Sequence, residues 1–202
     1  PIVKRRQFNN LFFLPLLVFM TLANLLFHLS VLEAILLPYP VALDLMRWLL
    51  VGLLILMGGR VIPFFIERGH PDSTKTHSYK WLEIVLPPLT LGAAVLSYTT
   101  TPQTLVATLF FLAGIAHWIR LGGWYQNTIC KVPMLWILVV GYAWIPLGLN
   151  LTALAELGYL TKSAAQHALM AGSLGCLTVG MMARVTRGHT GRSVDANGIT
   201  TW

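Results

Sequence analysis

Apolar residues run through this chain in long stretches separated by short polar breaks. A window of about 19 residues resolves six of them, at residues 11–32, 46–66, 82–98, 103–117, 134–154 and 166–186. About 20 apolar residues in a helix span the hydrocarbon core of a bilayer. In hydrocarbon every backbone polar group must be paired within the structure, so the pattern predicts helices. The third and fourth stretches are short, which leaves room for tilt or for ends buried in protein. The expected architecture is an all-α, polytopic membrane bundle of about six transmembrane helices forming one domain over residues 1–202.

The polar breaks carry an orientation. Of the 14 Lys and Arg, all but Arg47 and Lys162 fall at or near one set of helix ends, Lys4, Arg5, Arg6 and Arg192 included. By the positive-inside rule both termini are expected on the cytoplasmic side.

Residues 166–192, QHALMAGSLGCLTVGMMARVTRGHTGR, hold the densest pattern. Ala168, Gly172, Cys176 and Gly180 recur every fourth residue, a small-residue stripe that lets a second helix approach closely. His167 lies off that stripe, and Arg184, Arg187, His189 and Arg192 form a basic exit at the far end. A spanning helix is roughly 30 Å long, so His167 and His189 cannot share a metal.

In the first helix Asn24 and His28 stand one turn apart near the outer surface. Two readings of His28 stand side by side: a metal or haem ligand, and an interfacial histidine meeting headgroups. The second helix carries GGRVIPFF at residues 58–65, where the glycine pair permits close packing and Pro63 interrupts the ladder. Arg60 there either snorkels to the interface or meets a fixed anion such as a cofactor carboxylate. The fourth helix is expected to end in His117, Trp118 and Arg120 as an aromatic and basic boundary, with His117 either a belt residue or a ligand. In the loop after the second helix, His70 and Asp72 read as turn chemistry before they read as a metal site. The Trp136, Tyr142 and Trp144 stripe of the fifth helix reads as packing.

Composition narrows the classes further. With 56% hydrophobic and 10% charged residues and a mean hydropathy of +0.70, the chain lies outside the range of soluble domains. The net charge of +7 is spread between apolar segments and not gathered into a patch, so it reports topology and not nucleic acid. Cys130 and Cys176 lack the spacing of a disulfide framework or a zinc knuckle. No phosphate-cradling glycine loop, nucleophile elbow or paired CxxC is present.

LANLLFHL, GGRVIPFF, VVGYAWIPLG and above all HALMAGSLG followed by MMARVTRGHTGR together resemble the C-terminal half of NnrS proteins. The resemblance implies a bacterial inner-membrane protein, part of a chain of about twelve helices, that binds haem b and copper and helps cells withstand nitric oxide. It implies as partners the lipid bilayer, nitric oxide and the N-terminal half of the same protein. The depth of the histidines suits such a role: His28 and His167 share the outer ends of their helices, His117 and His189 the inner ends. Imidazole ligates both iron and copper, and arginines such as Arg60 and Arg184 suit haem propionates. The favoured pair for an outer haem is His28 with His167, beside the alternative that each pairs with a histidine of the N-terminal half, and the weaker inner pair is His117 with His189. Whether this is an enzyme stays open, and so does a second class, a cofactor-free transporter half or structural subunit.

Overall fold

The computed structural model describes residues 13–190, and every regular element in them is helical. Lys4, Arg5, Arg6 and Arg192 lie outside the described residues. The order is α1 (Phe13–Val31), α2 (Tyr39–Arg68), α3 (Lys80–Leu96), α4 (Gln103–Trp124), a 3₁₀ turn (Asn127–Lys131) and α5 (Pro133–Glu156). A final rod then runs on without a break through α6 (Lys162–His167), a π-helical segment (Ala168–Gly175) and α7 (Cys176–His189). Among the described residues this makes six helical rods, as the hydropathy pattern predicts. Five are long and apolar enough to cross a membrane, and α3, with 17 residues, is the exception.

Two boundaries differ most from the sequence expectation. The second helix begins at Tyr39 and the fourth continues to Trp124. In both places the apolar count stops near a charge, Asp44 in one case and Arg120 in the other, yet the charge is paired inside the helix or across to a neighbour.

The chain divides into two compact units, Pro1–Leu54 and Ile55–Trp202. In the first, α1 ends with the Ser30 hydroxyl donating to the Leu37 carbonyl, and Arg47 pairs with Asp44 one turn before it.

In the second unit α5 packs against both α4 and the last rod. Its buried residues Leu135, Leu138, Tyr142, Ile145, Leu149 and Thr152 alternate by three and four. Val106, Phe110, Ala113, His117, Arg120 and Trp124 of α4 do the same. This is the seam spacing of helices packed nearly parallel to each other's axis. The last rod runs antiparallel to α5. A Cβ at Gly180 would lie 3.1 Å from Ile137, and one at Gly172 would lie 2.5 Å from the Trp144 ring. The small-residue stripe therefore packs: Ala168 and Gly180 are buried, and Gly172 takes the face of Trp144.

One end of this unit gathers the basic residues. His77 N–H donates to the Gly123 carbonyl at 2.9 Å, and Thr74 and Gln126 exchange hydrogen bonds of 3.0 and 2.7 Å. These tie the α2–α3 loop, with Lys75, to the α4–α5 connection, with Lys131. The opposite end carries Lys162, paired to Glu156 at 3.0 Å.

Candidate functional site

Because α4 continues past His117, the residues expected at a membrane boundary lie inside the bundle. His117 is fully buried and Arg120 is 2% exposed, and both fall on the α4 seam. The Arg120 guanidinium forks onto Glu83 of α3, with Nε donating to Oε1 at 2.8 Å and Nη2 to Oε2. Its Nη1 donates to the Tyr142 hydroxyl at 2.8 Å and to the Ile55 carbonyl at 3.2 Å. A planar guanidinium in this bidentate arrangement is the strong form of such a pair.

The direction of the remaining bonds follows from arginine being a donor only. The Tyr142 oxygen accepts from Arg120 and leaves its own proton available to Nδ1 of His117, 2.8 Å away. The imidazole then carries its proton on Nε2, which faces the Thr90 hydroxyl at 3.5 Å. Three helices thus meet on one hydrogen-bonded chain running from Arg120 through Tyr142 and His117 to Thr90, and α2 joins it through the Ile55 carbonyl that accepts from Arg120. The buried Trp124 ring lies against Tyr142 at 4.8 Å between centroids, and Arg120 stands 5.1 Å over it.

Gly58 and Gly59 of α2 make room for this cluster. A Cβ on Gly58 would press on the Tyr142 ring at 3.0 Å, and one on Gly59 would overlap the Arg120 guanidinium. The close packing expected of this glycine pair is an approach to polar side chains, not to another backbone.

The other sequence-predicted residues are more open. His167, at the end of α6, is exposed, and its Nδ1 lies 2.8 Å from the Ser163 carbonyl. A carbonyl only accepts, so Nδ1 donates and the Nε2 lone pair is left as the ring's coordinating atom. His28, in the other unit, is exposed and meets Phe27 edge-on at 5.5 Å. His189 and Arg60 are exposed. Arg184 is buried over the Phe65 ring, 4.1 Å from its centroid, and its Nη1 has no hydrogen-bond partner among the described residues.

Among the described residues no three His, Cys, Asp or Glu come together as a metal-holding group. A haem needs less from the protein, since one or two imidazoles suffice. His70 accepts from the Asp72 N–H at 3.1 Å, the turn chemistry expected of that loop.

Sequence reasoning missed Glu83, Thr90 and the polar role of Tyr142. The signal available was the seven-residue spacing in α4, which sets His117, Arg120 and Trp124 in line with Val106, Phe110 and Ala113. A charged residue on a buried seam requires a partner. Which residue it is, 37 positions away for Glu83, no periodicity tells.

No curated protein and no solved structure matches the chain. A family model described as NnrS protein matches residues 1–202.

Proposed function

Since the chain belongs to the NnrS family, we propose that it is a haem-binding protein of the bacterial inner membrane that binds nitric oxide or serves tolerance of nitrosative stress, with copper as a second metal. The observation that carries this reading is the His167 imidazole. It is exposed, oriented by its own helix through the Ser163 carbonyl at 2.8 Å, and presents Nε2 in the coordinating tautomer. Haem iron, when bound, supplies a metal centre that takes nitric oxide as a ligand.

The chain's own residues divide the work. His167 would hold the haem iron through its Nε2, and His28 offers a second exposed imidazole. Arg184 is separated from His167 by 17 residues, or about 25 Å of helix, so it serves a separate inner site. There its unpartnered Nη1 suits a carboxylate oxygen. His117 works through Tyr142 and Arg120 to hold the bundle together.

The test is an absorption spectrum of the full protein purified in detergent. A Soret band is expected, lost or shifted in His167→Ala and again in His28→Ala. A protein without the band supports the cofactor-free bundle instead.

A further inference from the structure

The last rod and α5 are out of step by one residue. On α5, Gly141 and Gly148 are seven residues apart, and each receives a leucine. A Cβ at Gly141 would lie 3.0 Å from Leu177, and one at Gly148 would lie 2.6 Å from Leu169. Those two leucines are eight residues apart. Between regular α-helices seven residues face seven, because both rise equally and seven residues close nearly two turns. Eight α-helical residues overshoot two turns by about 80°, which would carry one leucine off its glycine.

The residues between them are the π-helical segment Ala168–Gly175, whose wider i→i+5 turns take in the eighth residue. Buried Ser173 supports that turn. Its hydroxyl donates to the Leu169 carbonyl at 2.5 Å, the group four residues back that its own N–H would take in an α-helix.

We propose that the seating of Leu169 and Leu177 on Gly148 and Gly141 positions His167, and that the π turn accommodates the extra residue between them. By absorbing one residue the turn lets both leucines seat, and their seating fixes the rotation of α6 at which Ala165 is buried and Ala164 and His167 are exposed. The inference rests on the reading of His167 as the imidazole offered to haem, and it is tested by a measurement that does not need haem.

In a background with Cys130→Ser and Cys176→Ala, the maleimide labelling rates of Ala164→Cys and Ala165→Cys report the rotation of α6, fast for the first and slow for the second. Deleting Ala171, an exposed residue of the π segment, leaves the leucines seven residues apart. The rod then closes as a regular α-helix, and the labelling contrast and the Soret band are both kept. Deleting Met170 as well leaves them six apart, with no extra residue to give up. Then α6 turns, the contrast is lost and the band shifts or disappears. Loss of the contrast, or of folded protein, on deleting Ala171 alone overturns the proposal, and so does its survival in the double deletion. A parent that shows the contrast without a Soret band refutes the haem reading and leaves the register intact. A parent with the band whose Ala171 deletion loses the contrast does the reverse.

Discussion

Glu83 determines whether the guanidinium of Arg120 can stay inside the bundle. Its side chain keeps 30% of its surface exposed and that of Arg120 only 3%, so losing the carboxylate leaves the buried partner uncompensated. Removing one member of a buried pair is worth about 3 to 5 kcal/mol, and the partial exposure of Glu83 puts Glu83→Ala near the lower figure. The expected outcome is a lowered thermal midpoint in detergent, mostly recovered when Glu83 and Arg120 are both replaced by leucine. An unchanged midpoint in the single variant means that the pair does not hold α3 to α4. At this scale the sequence was half legible. His117 and Arg120 stood out as unusual residues, but their positions looked like a helix end because the apolar count stops near a charge.

Helix by helix, the fit between side chains is written mostly in small residues. The stripe of Ala168, Gly172, Cys176 and Gly180 was readable as a packing face, since fourfold recurrence has one meaning on a helix. Its partner was not, and the structure supplies Trp144 and Ile137 of α5. Gly172→Leu must push the Trp144 indole, which a Cβ alone would approach to 2.5 Å. Overpacking of this kind is worth about 1 to 3 kcal/mol. A midpoint lowered accordingly is expected, and one equal to the parent's would remove Trp144 as the facing group. Of the α5 aromatic residues read as packing, Tyr142 is buried and Trp144 lies against Gly172, whereas Trp136 is exposed, and the Tyr142 hydroxyl also bonds His117 and Arg120. The π turn was invisible because it appears only when leucines eight apart are set against glycines seven apart.

For the molecule as a whole, the gathering of Lys75, Lys80 and Lys131 at one end of the second unit follows the charge asymmetry along the chain. That end is proposed to face the cytoplasm. With Cys130→Ser in place, Thr74→Cys in the exposed loop is expected to react with a membrane-impermeant maleimide only after the cells are opened. Reaction in intact cells would reverse the orientation. The sequence by itself determined that the chain is helical, membrane-embedded and of the NnrS type, because hydropathy, small-residue stripes and short motifs are local properties of the chain. Only the tertiary structure decided that His117 is bound within a four-helix polar cluster, that GGRV makes room for a guanidinium, and that the last rod carries one residue more than a regular helix admits. These depend on which side chains meet across helices, and a burial seam or a register is a relation between two helices that neither one's periodicity contains.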